Sequence, residues 1–290
     1  MFTSEPAYLP LFGWFLHAIT GAPYVLVLYD LYPDVAIALG VLKPGHPLAR
    51  LWQAWQGRAL TAAREVVVLS STMAARLQQV YPELTTAVSV IPSWADPRRI
   101  RPLPKEHNPF VRRHGLNGLF TVLYAGNQGR CHDLDTLLDA AVLLAGQPGI
   151  RFVIVGDGAR HRQLLHALTQ LAVVSLLAAA EGQVAPSKLY GHLAAATPVA
   201  AICGSDSYLV DELKAGGCGA AFRSGDGAGL AAFILRLVAQ PQTARQLGLA
   251  SRRHLLNTAT PELVLRRYGE VLARHLPQGR LVAQPSVAGA

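Results

Sequence analysis

At 290 residues, 51% hydrophobic and 15% charged, with a formal charge of +8, the chain has enough material for one large or two modest domains. The basic balance points to an anionic partner. The positive groups fall in small scattered clusters (Arg98–Arg99–Arg101, Arg112–Arg113, Arg252–Arg253, Arg266–Arg267) with no alternating aromatics, which argues against nucleic acid. The three cysteines, Cys131, Cys203 and Cys218, are odd in number and lack metal-ligand spacing, and the ten histidines contain no HExxH-like pattern, so neither a disulfide framework nor a metal is expected.

The amino terminus carries Glu5 and no basic n-region, a poor match to a signal peptide, and the apolar run over 8–20 is too short to span a bilayer. Two readings stand for the first 45 residues: a packed helix followed by a buried strand, or a membrane-surface contact. Strand and helix then alternate. "YVLVLY" (24–29) reads as a buried strand ending in a carboxylate, Asp30, and 47–64 reads as a helix with proline at its start. "EVVVLS" (65–70) is a second strand, Ser70–Ser71 can cap a helix over 72–81, and "AVSVIP" (87–92) is a third strand. The following "SWADPRRIRPLPKEHNPFVRRHGL" has four prolines and many charges, a linker composition that divides the chain near residue 100.

After the linker the pattern restarts. Strands are expected over 119–126, 151–158, 198–203 and 219–227, each with a turn or helix behind it. The helix over 133–144 carries Leu134, Leu137, Leu138 and Ala141 on one face, and a later helix carries Leu230, Phe233, Ile234 and Leu237 at the same spacing. Helices are expected over 160–170, 209–215, 242–256 and 261–275, with a disordered tail to 290. Continuous apolar strands separated by helices imply parallel sheets covered on both faces, hence an α/β fold of two Rossmann-like halves: 1–100, and 101–275 with the tail beyond.

In open parallel sheets ligands bind at the carboxyl ends of the strands. There the second half has "GNQGRCHD", in which Gly126 and Gly129 permit close backbone approach and Arg130 and His132 add cationic or donor groups. It also has the glycine turn Gly156–Asp157–Gly158, followed by Arg160 and Arg162, and "PSK", with Ser187 as a cap and Lys188 in the first helical turn. A lysine there opposes the helix dipole unless an anion binds beside it. Three such segments at the strand ends of one half point to a diphosphate. "GNQGRCH" is neither a Walker loop nor a dinucleotide fingerprint, which argues against ATP hydrolysis and NAD.

The ordered set "LYDLYPD", "VVVLSSTMAARL", "VIPSWADPRRIRPLPKEHNPFVRRHGL", "VLYAGNQGRCHDLDTLLDAA", "FVIVGDGARHRQL" and "VAPSKLYGHLAAATPVAAIC" resembles the retaining GT-B glycosyltransferases of the family-4 type, in the branch that builds colanic-acid-like and O-antigen-like polysaccharides. The resemblance covers roughly residues 20–275. It implies transfer of a sugar from a nucleotide-diphosphate donor to a glycan or lipid-linked acceptor, without a metal or other cofactor. The odd cysteine count separately fits a reducing cytosolic location, with the inner face of the plasma membrane as a further expectation. The resemblance puts Gly126, Asn127, Gly129, Arg130, His132, Gly156, Asp157, Gly158, Arg160, Ser187 and Lys188 around the nucleotide sugar. Asp30 and Asp34 fall on the other side of the cleft. Asp30 is the catalytic candidate, touching acceptor or donor sugar, with a loop-capping role the alternative.

Three departures qualify these expectations. About half of an N-terminal Rossmann unit precedes the "YDLYPD" strand in the resembling enzymes but not here. Roughly one βα unit of the nucleotide-binding half is absent between 160 and 188. Two glutamates eight residues apart, the second of which holds the nucleotide ribose, are replaced by Gln183 and Gly191. The expectation is an N-terminally shortened glycosyltransferase with open sheet edges, self-association and impaired activity. The alternative is a non-catalytic remnant that binds a nucleotide sugar or an assembly partner. A nucleotide-sugar epimerase is a weaker third reading, for want of placeable cleft carboxylates or histidines.

Overall fold

A computed structural model of the chain describes residues 1–156 and 174–276. The N-terminal half is a parallel sheet in the order β1 (Phe2–Thr3), β2 (Val25–Leu28), β3 (Glu65–Val68), β4 (Ala87–Val90). Helices α1 (Leu9–Thr20), α2 (Asp34–Ala38), α3 (Pro47–Ala62) and α4 (Ser71–Val80) make the crossovers. Every residue of β2 and β3 is buried, as largely apolar strands demand when both faces of their sheet are covered. Alternation along each strand sorts the side chains. Leu26, Leu28, Val66 and Val68 meet Leu60, Met73 and Leu77 on one face, while Val25, Val27 and Val67 point to the other. Ser70 caps α4, its hydroxyl accepting from Met73 N–H at 3.2 Å. β1 escaped the sequence reading because two residues carry no periodicity.

The C-terminal half pairs β5 (Phe120–Ala125) with β6 (Ile150–Val155), and β7 (Val174–Ser175) with β8 (Val199–Ile202) and β9 (Gly219–Phe222), all parallel. The loop after β5 joins the two ladders: Leu177 N–H donates to Cys131 O at 2.8 Å, and His132 Nδ1 lies 2.6 Å from Ser175 O. The helices among the described residues are α5 (Pro109–Arg113), α6 (Asp135–Leu143), α7 (Lys188–Ala194), α8 (Tyr208–Gly216), α9 (Gly227–Ala239) and α10 (Pro241–Thr258). The face expected of α6 is buried through Leu134, Leu137 and Ala141, with Leu138 partly so, and packs on Leu230, Phe233, Ile234 and Leu237 of α9. The helix expected over 160–170, and the first part of the segment in which a βα unit is expected to be absent, lie outside the described residues.

One packing differs from the sequence expectation. The last helix, α11 (Pro261–His275), falls with the second half by its position in the chain. It lies instead on the N-terminal sheet, where Val264, Val271 and Tyr268 cover the face formed by Val25, Val27, Val67 and Ile91. The reason is the sheet itself: without this helix three buried valines would face water, and contiguity in sequence gives no hint of what shields them. Polar contacts fix the docking. The buried Glu65 carboxylate accepts from Ser89 Oγ at 2.5 Å, pairs with Arg274 at 3.3 Å and lies 2.7 Å from His275 Nε2. The chain therefore crosses between halves twice, at 92–104 and at 259–260, and the two crossings touch through Ala95 N–H and Ala259 O at 3.4 Å. Arg252 pins the first crossing by donating to the carbonyls of Ile100 and Pro97, at 3.2 and 3.1 Å, and of Ala194.

Truncating Val271 to alanine is expected to cost about 2 kcal/mol, the usual penalty for deleting buried methyl groups. Urea unfolding followed by far-ultraviolet circular dichroism should show the loss as a lowered midpoint.

Candidate functional site: a polar cleft between the halves

The carboxyl ends of the two sheets face each other across a cavity of about 810 Å³. Its second-half wall begins at β5 and β6. These strands pair in register to Ala125 and Val155, so the glycines that follow, Gly126 and Gly156, turn at the same level with φ of 130° and 134°. Only glycine fits the second position, because a Cβ added to Gly156 would lie 2.1 Å from Gly126 O. The turn is held by Gly126 N–H to Val155 O at 2.9 Å, Gln128 Nε2 to Gly156 O at 3.1 Å and Tyr124 Oη to Asn127 O at 2.8 Å.

Lys188 reaches this turn from the start of α7. Its Cε and Nζ lie 3.1 and 3.2 Å from where a Gly126 Cβ would stand, so the glycine also clears room for the lysine. The ammonium donates to Tyr124 Oη at 3.0 Å and sits 4.4 Å from the centre of the Tyr124 ring. Burial lowers its pKa to about 8, leaving it cationic at neutral pH. α7 has only seven residues, so the charge facing the cleft comes from the lysine more than from a helix dipole.

The opposite wall is the end of β2. Ser4 Oγ accepts from the N–H groups of Tyr29 and Asp30 at 2.8 and 3.2 Å and so presents Asp30 to the cavity. Burial first, and then the charge of Glu5, raise the Asp30 pKa to about 6. The walls touch behind the cavity: Asp30 and Val184 form an antiparallel bridge, and Leu31 N–H donates to Gln183 O at 2.9 Å. Gly182 allows this contact, since a Cβ there would lie 2.8 Å from Thr72 O of α4.

The expected residues divide into groups. Asp30, Gly126, Asn127, His132, Ser187 and Lys188 all line the one cavity. His132 is buried with Nδ1 against the Ser175 carbonyl, and burial, with Lys188 adding to it, lowers its pKa to about 4. It is therefore a neutral ring at pH 7, which leaves the donor and not the cationic role of the two the sequence suggested. Ser187 makes no capping hydrogen bond; it is exposed at the rim. Gly156 supports the Gly126 turn from beneath. Gly129 packs against the Asn127 side chain and Arg130 is exposed, and neither lines the cavity. Asp34 is drawn away by Arg76, 3.3 Å distant. Asp157, Gly158, Arg160 and Arg162 lie outside the described residues.

The sequence reading missed Tyr32, Trp94, Asp96, Arg99 and Cys131, which also line the cavity. Arg99 adds a second cation, 3.9 Å from Asp96. The signal existed: "SWADPRR" follows a strand, as a ligand-binding segment should, but its prolines marked it as linker alone.

No family model matches the sequence. The chain is 26% identical over 241 residues to the probable glycosyltransferase WbjE of Pseudomonas aeruginosa, a match covering 73% of this chain and 60% of that protein, so it spans only part of the relative's length. Among solved structures, it superposes on sucrose-phosphate synthase from Thermosynechococcus elongatus with a TM-score of 0.69 at 18% identity, over 91% of this chain and 71% of the other. HepE of Anabaena, crystallised with UDP-glucose, gives 0.68 at 15% identity, over 91% and 76%. The UDP-forming α,α-trehalose-phosphate synthase of Burkholderia vietnamiensis gives 0.66 at 15% identity, over 93% and 70%. Two Rossmann-like parallel-sheet domains, a cleft between their carboxyl edges and these superpositions together identify the fold as GT-B.

Proposed function

We propose that this chain is a glycosyltransferase that takes a sugar from a nucleotide-diphosphate donor. The observation that carries the reading is the meeting of Lys188 with the Gly126 turn in one cleft, facing Asp30. In this reading the diphosphate lies on the Gly126–Asn127 backbone with Lys188 against it and Arg99 at the rim. As the anomeric C–O bond breaks, negative charge grows on the leaving diphosphate. A fixed ammonium in a half-buried site stabilises that charge without having to reorient. The acceptor oxygen bonds to the anomeric carbon, and its proton passes to the departing diphosphate. Asp30, ionised above about pH 6, accepts a hydrogen bond from a sugar hydroxyl and orients it. Lys188 supplies the cation that a metal would otherwise bring, so no metal cofactor is invoked. Retention of configuration, the family-4 assignment and a hexosyl donor rest on the sequence resemblance. So do polysaccharide assembly and a lipid-linked acceptor.

Work beside a membrane fits the N-terminal half. Among the described residues no helix is long and apolar enough to cross a bilayer. α1 nevertheless exposes Phe12, Phe15, Leu16 and Ile19 on one stripe, and its neighbour α3 exposes Leu48, Leu51 and Trp55. An apolar stripe of this kind suits the interfacial plane of a lipid bilayer, or a second copy of the chain.

A second reading, donor binding with little turnover, is favoured by Gly191. It lines the cleft with nothing within 4 Å of its Cβ direction, where the resembling family often carries a ribose-holding glutamate, although glycine also occurs there in the resembling branch.

Replacing Lys188 with alanine should weaken UDP and GDP binding by about ten- to a hundredfold in calorimetry, the range for a lost charge-assisted hydrogen bond. If neither nucleotide binds the native protein at millimolar concentration, the donor site is wrong. Because the free lysine titrates near 8, it is charged below that value and loses its proton above it. Affinity for UDP should therefore hold between pH 6.5 and 7.5 and drop by about tenfold on reaching pH 9. Gly191→Glu should tighten UDP binding about tenfold if the ribose lies beside residue 191. Assays of sugar-nucleotide turnover on the native protein separate the two readings.

A further inference from the structure

A second cavity, of about 600 Å³, opens beside the polar cleft and has a different chemistry. It lies between the carboxyl ends of β2 and β3, represented by Tyr29 and Leu69, and helix α11, represented by Leu265, Tyr268 and Leu272. No charged side chain is among the residues lining it, whereas the cleft next door is lined by Asp30, Asp96, Arg99 and Lys188. Its apolar walls are open to solvent: Leu265 is 65% exposed, Trp94 51%, Tyr29 39% and Leu272 36%. The helix explains the arrangement. Val264 and Val271 dock α11 on the sheet, and the residue after each, about 100° further round, projects into the groove. The two cavities adjoin, since Trp94 and Ser187 line both.

A groove with no charged side chain, running into a charged cleft, matches a molecule with one apolar and one hydroxylated end. We infer that the groove binds the aliphatic chain of an amphiphilic glycosyl acceptor, whose accepting hydroxyl then lies in the cleft past Trp94 and Ser187. The inference rests on the glycosyl-transfer reading for the word acceptor and on the groove alone for the aliphatic chain. The occupant is a single chain and not a bilayer surface, because the groove lies between α11 and the strand ends, away from the exposed stripes of α1 and α3.

The test uses the full chain and a series of methyl, butyl, hexyl and octyl glucosides below their micelle concentrations, titrated by calorimetry. Affinity should rise about twofold or more for each added methylene. Leu265→Asp combined with Leu272→Gln, both at solvent-exposed positions, should weaken octyl glucoside binding about tenfold or more, flatten the series and leave UDP affinity unchanged. Phe15→Asp, on α1, should leave the series intact. The inference is overturned if affinity does not depend on chain length. It also falls if the dependence survives the Leu265 and Leu272 changes, or disappears in Phe15→Asp instead. If the chain-length series behaves as expected while UDP and GDP fail to bind, the groove stands as a site for aliphatic chains and the glycosyl-transfer reading fails.

Discussion

A parallel sheet has two apolar faces, and both must be covered. In the N-terminal half the helices that follow the strands cover one face, while the other, formed by Val25, Val27 and Val67, is closed by α11 from the far end of the chain. That one requirement sends the polypeptide across the interdomain space a second time. The two crossings lie side by side at Ala95 and Ala259, and Glu65 anchors the returning helix through Arg274 and His275. The carboxyl edges of the two sheets are thereby held facing each other, and the cleft is a consequence of that covering.

Within the cleft, the electrostatics follow from where the lysine is placed. Lys188 is half-buried, and its partners among the described residues are the hydroxyl and ring of Tyr124. Burial without strong compensation lowers its pKa, and an arriving diphosphate supplies the compensation. The same burial makes His132 a neutral ring and holds Asp30 near the boundary between its two protonation states. Between about pH 6 and 8 the cleft therefore carries a carboxylate on one wall and an ammonium on the other. The first suits sugar hydroxyls and the second suits phosphate.

The apolar groove under α11 sets a different solvent environment against the same wall. Trp94 and Ser187 stand at the junction, so one ligand can be wet at one end and dry at the other. The helix that the sheet requires for stability is thus also the wall of a candidate ligand site, through neighbouring residues on adjacent faces.

Local composition was enough to read most of the strand and helix order, the faces of α6 and α9 and the Ser70 cap. These features depend on periodicity and turn chemistry within a short window. The glycine turn at Gly126 and the Lys188 segment were legible for the same reason: each follows an apolar strand and breaks its pattern. The sequence alone could not show that α11 belongs with the first sheet, since burial of Val25 and Val27 is satisfied by a partner more than two hundred residues away. Nor could it tell that Arg99 lines the rim of the cavity while Arg130 does not, or that His132 is neutral, because position and desolvation are set by neighbours that only the folded chain brings together.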